Sequence, residues 1–230
     1  MIIHGLQKMT LLDYPGKVAC TVFFGGCDMR CPFCHNAELL DGSTPPVMDE
    51  DSLLGFLKTR KGLLDGVAIT GGEPLLQPDL SGFMGKIREL GFPIKLDTNG
   101  THPDRLFRMI KEGLVQYVAM DIKNSPERYA ETAGLAKLDI TPIRESVTLL
   151  KEGRVEYEFR TTAVAEMHDD ESFEKIGLWL RGSEKYYIQR FTDRETVPFE
   201  GLHAPAIEQM EHWADIVRPF VPAVELRGAE

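Results

Sequence analysis

Apolar positions along this chain fall into two alternating rhythms. Compact runs at VACTVFF (18–24), GVAIT (66–70), IKLDT (94–98), YVAMDI (117–122), VEYEFRTT (155–162) and YYIQRF (186–191) are rich in β-branched and aromatic residues and read as strands. Most are continuously apolar or nearly so, which suits strands covered on both faces in a parallel sheet. Between them, residues 49–60, 78–91, 103–113, 141–153 and 169–182 repeat apolar side chains every three or four positions, predicting amphipathic helices. Pro78, Pro103 and Pro142 stand where first helical positions belong, and Gly91, Gly113, Gly153 and Gly182 follow the last turns. A sixth helical stretch (204–220) and a last strand, AVEL (223–226), close the chain. The residues before 18 read as a short leader and LDGSTPPVMDE (40–50) as a flexible loop.

Six strand–helix alternations imply right-handed βαβ units and a parallel sheet, either an incomplete barrel or a doubly wound sheet. No repeat or long linker divides the chain, so one domain over 1–230 is expected. Hydrophobic residues make up 43% and charged residues 27%, the balance of a water-soluble globular protein. No apolar run approaches the roughly 20 residues of a bilayer span, and the start MIIHGLQKMT lacks the pattern of a secretory signal. The expected location is the cytoplasm, with no membrane partner. A formal net charge of −10 gives no electrostatic footprint for a nucleic-acid backbone, so no nucleic-acid partner is expected.

Chemistry concentrates in GGCDMRCPFCHN (25–36), where Cys27, Cys31 and Cys34 follow the first strand at its carboxyl end, the edge at which parallel α/β folds place their sites. Three thiols so close admit a disulfide staple, a closed zinc site completed by His35, or an open cluster. Four cysteines with three clustered do not form a secreted disulfide framework. A Cys₃His zinc site, as in a non-catalytic zinc-binding module, needs adjacent residues as ligands, an awkward geometry. A four-iron cluster held by three thiolates leaves one iron open to a ligand. Cys20, inside the first strand, reads as a buried small hydrophobe. After the second strand, TGGEP (70–74) offers two glycines for close backbone approach and Glu73 as an acceptor for an ammonium group.

The stretch DYPGKVACTVFFGGCDMRCPFCHN resembles the amino-terminal signature of radical S-adenosylmethionine (SAM) enzymes that activate glycyl-radical enzymes. The resemblance continues through ITGGEPLLQ, LDTNG and MDIK to the terminal ELRG, and is nearest to the longer type of anaerobic ribonucleoside-triphosphate reductase activating proteins. It implies a partial (β/α)₆ barrel with one 4Fe–4S cluster on Cys27, Cys31 and Cys34. SAM would complete the fourth iron through its amine and carboxylate. Phe33 matches the position beside the adenine, and Gly71, Gly72 and Glu73 match the motif around the methionine amine. Lys123 would pair with the methionine carboxylate, Asp121 would orient it or bond the ribose, and Arg160 matches a SAM-contacting arginine. Asp97 and Thr98 match a monovalent-cation position, although Asp97 could equally cap its turn and Arg160 serve a structural salt bridge.

The implied reaction is reductive cleavage of SAM, followed by hydrogen abstraction from a glycine of a partner enzyme, foremost anaerobic ribonucleotide reductase. Flavodoxin or ferredoxin would donate the electron. Pyruvate formate-lyase is the alternative protein partner, and a deazaguanine synthase-like reaction the small-molecule one; CHN after the third cysteine favours the activators. Formate-lyase activators carry a histidine on the strand read here as YYIQRF, where Gln189 and Arg190 stand without an assigned role. His4, His102, His168, His203 and His212 read as surface or satisfied polar residues. The open edge near 40–50 is the expected docking surface for the partner.

Overall fold

The computed structural model describes residues 1–228. Its strands are β1 (Ile2–Ile3), β2 (Gly5–Thr10), β3 (Ala19–Phe24), β4 (Met48–Asp49), β5 (Gly66–Gly71), β6 (Ile94–Thr98), β7 (Tyr117–Asp121), β8 (Glu156–Ala163), β9 (Lys185–Arg190) and β10 (Ala223–Arg227). Its helices are α1 (Glu50–Lys58), α2 (Leu80–Glu89), α3 (Pro103–Lys111), α4 (Tyr129–Thr132), α5 (Thr141–Lys151), α6 (Asp170–Leu180) and α7 (Ile207–Val217). Eight strands form one sheet in the order β10-β9-β8-β7-β6-β5-β3-β2. Every pair from β3 to β10 is parallel; only β2 is antiparallel to its neighbour. The sheet is an open, partial barrel with six βα units at its centre.

The six expected strands all form, and their side chains alternate. Cys20, Val22 and Phe24 of β3, Ile94 and Leu96 of β6, and Tyr157 and Phe159 of β8 are buried in the apolar core with the helices. Phe24, for instance, meets Phe83 of α2 edge to face with ring centroids 5.5 Å apart. The intervening residues, among them Thr21, Asp97, Asp121, Arg160, Thr162 and Gln189, turn the other way and line one cavity. One face of each strand therefore carries the stability and the other carries the chemistry. Cys20 belongs to the first set, as expected.

Three strands were not anticipated. The stretch read as a leader contains β2, which pairs with β3 through an irregular register between Gln7 and Thr10. Such a bulge, with Lys8 beside it, blunts an exposed sheet edge. The loop read as flexible ends in β4, whose Met48 and Asp49 pair with Ile3 and Ile2 of β1. Asp49 also caps α1, its carboxylate accepting from Ser52 N at 2.9 Å. The expected open edge at 40–50 is thus closed at its carboxyl end by main-chain pairing. Helix α7 is shorter than its apolar pattern, because Pro205 and Pro219 lie outside it.

Candidate active site

A cavity of about 470 Å³ opens at the carboxyl ends of the parallel strands, where Cys27, Cys31, Phe33, Cys34, Gly71, Asp97, Asp121, Lys123 and Arg160 meet. The cysteine loop is fixed by main-chain hydrogen bonds from several sides. Gly26 N donates to Leu39 O (2.7 Å), Cys27 N to Leu40 O (3.0 Å), Glu73 N to Gly26 O (2.8 Å) and Arg30 N to Ala133 O (2.9 Å). A Cβ on Gly72 would stand 2.0 Å from Gly26 O. The second glycine of TGGEP is therefore required by the cysteine loop packed on it, beyond any need of a ligand.

Burial raises the pKa of all three thiols, that of Cys27 to about 12, while the nearby Lys123 ammonium works in the opposite sense. Thiols so placed ionise when a cation replaces their protons. Cys27 Sγ accepts from Met29 N at 3.4 Å. His35 does not join them as a fourth ligand: its Nε2 lies 2.7 Å from Thr192 O and its ring stacks on Phe191. Among the described residues no three His, Cys, Asp or Glu side chains converge on a single-ion site. Three thiols on one wall of a cavity, with a cation beside them, fit a multi-iron cluster better than a lone zinc.

In the same cavity runs a line of alternating charge that ends at Lys123 near the cysteines. Lys95 pairs with Asp97, Arg160 bridges Asp97 (3.1 Å) and Asp121, and Lys123 pairs with Asp121 (2.8 Å). Three cations against two carboxylates leave one net positive charge. Burial alone would raise the Asp97 and Asp121 carboxyls, but Arg160 and the lysines overcome it and hold both low. For Lys123, the charges of Asp121 and Cys31 outweigh a desolvation that opposes the ammonium, and it stays charged.

Two sets of expected site residues already have partners within the chain. Glu73 is fully buried and its carboxylate is absent from the cavity wall. The chain itself supplies its donors: Leu75 N (3.0 Å), Thr98 Oγ1 (2.9 Å) and Asn99 N (2.7 Å). Burial pushes this carboxyl up to about 7 against those hydrogen bonds. At the Asp97–Thr98 position matched to a monovalent cation, protein cations already occupy the carboxylate. Both Asp97 oxygens are held by Lys95 and Arg160, and Thr98 Oγ1 donates to Glu73 while accepting from Gly100 N (3.1 Å).

Asp28 and Asn99 were passed over in the sequence, and His168, Gln189 and Arg190 were named there without a role in the site. Asp28, inside the cysteine motif, accepts from Asn99 Nδ2 (2.7 Å) and Thr101 Oγ1 (2.6 Å) and lies 3.2 Å from His102 Nε2. His168 is buried below Lys123: Nδ1 accepts from Val164 N (3.1 Å), so Nε2–H donates to Lys123 O (2.9 Å). Gln189 lines the cavity, and its buried Oε1 has no hydrogen-bond partner among the described residues. Arg190 is engaged elsewhere, donating from Nε to Pro205 O at 3.0 Å. The adjacency of Asp28 and Asn99 to recognised motifs was the available signal; His168 had none.

Comparison with known proteins agrees with this architecture. The Radical SAM superfamily model matches residues 21–179. A Methanocaldococcus jannaschii protein, MJ1227, named as a proposed glycyl-radical enzyme activating enzyme, is 31% identical over 98% of this chain and 95% of its own length. The pyruvate formate-lyase-activating enzyme of Clostridium pasteurianum is 33% identical over 53% of this chain and 52% of its own. The 7-carboxy-7-deazaguanine synthase of Thermococcus kodakarensis is 30% identical over 60% of each. In fold, the chain is similar to Streptococcus suis SuiB bound to S-adenosylmethionine, with a TM-score of 0.69, 12% identity and coverage of 90% of this chain and 52% of that one. Among the described residues no helix is long and apolar enough to cross a membrane. The chain is an enzyme of the radical SAM superfamily, homologous to glycyl-radical-enzyme activating enzymes.

Proposed function

We propose that this enzyme reductively cleaves SAM and generates a glycyl radical on anaerobic ribonucleotide reductase. The observation that carries the reading is one cavity lined together by three thiols, Cys31 buried and Cys27 and Cys34 half-buried, and by the ion-paired groups Asp97, Asp121, Lys123 and Arg160, with Lys95 behind Asp97 bringing the paired set to net +1. When bound, a reduced 4Fe–4S cluster supplies one electron to the SAM sulfonium, so that the C5′–S bond breaks to methionine and a 5′-deoxyadenosyl radical able to take a hydrogen atom.

Cys27, Cys31 and Cys34 would hold that cluster, and the Lys123 ammonium would receive the methionine carboxylate by a charge-assisted hydrogen bond. Asp121 and Arg160 keep Lys123 charged and aimed. Gly71 and Gly72 line the cavity, where their carbonyls would accept from the methionine amine, Gly71 O already accepting from Asn36 Nδ2 at 3.1 Å, and Glu73 serves by locking Thr98 and Asn99. Phe33, buried in the cavity wall, offers an apolar surface to the adenine. No side chain needs to act as acid or base. Positioning and exclusion of water are the protein's tasks.

The near full-length match to the M. jannaschii protein supports a protein substrate over a small molecule, and flavodoxin or ferredoxin is the electron donor that fits the family. The chemistry is tested by reconstituting the cluster anaerobically, reducing it and adding SAM. Methionine and 5′-deoxyadenosine in equal amounts are expected, with none from Cys31→Ala. Full cleavage by Cys31→Ala would refute the cluster assignment.

A further inference from the structure

We infer that the Lys95 ammonium is a built-in replacement for the monovalent cation implied at the ends of β6 and β7, so that this enzyme binds SAM without one. The inference rests on the cavity being a SAM site. Lys95 and Asp97 are two residues apart on β6 and share its inward face, so the lysine stem rises alongside the strand to the carboxylate above it. The Lys95 side chain is only 3% exposed, and its Nζ contacts Asp97 Oδ1. The other oxygen, Oδ2, is taken by Arg160. A metal ion at this point would have to displace an ammonium already in contact with Asp97 Oδ1 and compete with the Arg160 guanidinium at Oδ2.

A buried lysine is costly to desolvate and persists where its charge is used. Here the use is visible in the arithmetic of the charge line. Without Lys95 the remaining groups, Asp97, Arg160, Asp121 and Lys123, sum to zero, and Asp97 competes fully for the guanidinium that also holds Asp121. With Lys95 in place, Asp97 is neutralised from below. Arg160 and Lys123 are then left to face the cavity with the excess positive charge that a carboxylate ligand requires. Lys95 thus acts through Asp97 as a positioning residue, doing with a covalently attached cation what a bound ion would do by coordination.

The test is SAM affinity of the cluster-reconstituted protein, measured at constant ionic strength in tetramethylammonium buffer and after replacing that large cation by K⁺ or Na⁺. Wild type should bind SAM equally in both, within about twofold. Lys95→Ala should bind about tenfold or more weakly in tetramethylammonium and regain affinity in K⁺ or Na⁺, since truncation opens the space beside Asp97. A tenfold gain of wild-type affinity on adding K⁺ or Na⁺ would overturn the inference, and it can be read even if the variant fails to fold. Unaltered affinity in Lys95→Ala, or a loss that no cation repairs, would overturn it as well. Melting temperature without SAM separates the premises: K⁺ should raise it for Lys95→Ala and not for wild type. A wild type that binds no SAM in any buffer would instead refute the reading of the cavity.

Discussion

Asn99 Nδ2 donates a 2.7 Å hydrogen bond to Asp28 Oδ1, joining the loop that follows β6 to the middle of the three-cysteine loop. These two side chains come from different βα units, yet they set the position of the thiols relative to the charge line. Asp28 also accepts from Thr101, so the cysteine loop is anchored on both carboxylate oxygens.

Removing the amide should therefore loosen the loop. A hydrogen bond to a charged acceptor contributes about 1.5–3 kcal/mol when sheltered. With the Asp28 side chain 30% exposed, the lower part of that range, about 1.5–2 kcal/mol, is expected. Asn99→Ala should lower thermal stability accordingly and speed iron loss to a chelator. Unchanged melting and unchanged iron retention would contradict this anchoring role.

Lys123→Ala should weaken SAM binding while leaving iron content intact. The lost charge-assisted bond corresponds to about 10- to 100-fold in affinity if no water replaces it. Equilibrium binding to the reconstituted protein measures this. Affinity equal to wild type would make Lys123 a partner of Asp121 alone.

Gln189 makes a sharper case, because its Oε1 has no partner to lose among the described residues. Gln189→Ala is expected to leave melting nearly unchanged and to lower SAM affinity about two- to tenfold, the value of one neutral hydrogen bond. A drop in stability with no change in SAM affinity would reverse the assignment.

How much of this was legible in the sequence follows from which face each residue serves. Strands such as GVAIT announced themselves because their core-facing residues are apolar and their cavity-facing ones small. In IKLDT and VEYEFRTT the lumen face carries Lys95, Asp97, Glu158 and Arg160, and the pattern named them as strands without saying which charges would meet. Strand β2 was missed because an edge strand exposes Gln7, Lys8 and Met9 and leaves no periodic signal. The three clustered cysteines stood out by their spacing, but the spacing left staple, zinc and cluster open, and only the family resemblance pointed to a cluster. For Glu73 the sequence showed a possible acceptor but not its partners, since besides the nearby Leu75 N the donors to its carboxylate come from LDTNG, a segment about 25 residues on that only the fold brings near.

The far side of the barrel offers a pH test. Glu158 is fully buried, and Arg227 of β10 holds it from both terminal nitrogens at 2.7 and 2.8 Å while Tyr117 donates at 2.7 Å. Burial alone would raise this carboxyl, but the hydrogen bonds and charge of Arg227 hold it low. Stability from a depressed carboxyl is present above its unfolded pKa, about 4.3, and lost as pH falls below it. In Arg227→Ala the unpaired carboxylate should have a raised pKa, so the sign reverses. Because Arg227 is partly exposed, a loss on the order of 3 kcal/mol is expected at pH 7. The gap to wild type should narrow as pH falls toward 4 and Glu158 takes a proton. A gap in melting temperature that does not narrow on acidification would show that Arg227 works only by packing on Tyr187.

Hydrogen abstraction from a partner enzyme leaves a protein radical that electron paramagnetic resonance detects. Reduced, cluster-loaded enzyme and SAM are incubated anaerobically with anaerobic ribonucleotide reductase, and in parallel with pyruvate formate-lyase. The account predicts a glycyl doublet on the reductase, broadened when its glycines carry carbon-13 at the α position, and none with Cys31→Ala. A doublet on formate-lyase alone would keep the chemistry and contradict the partner; SAM cleavage with no protein radical on either would contradict the account.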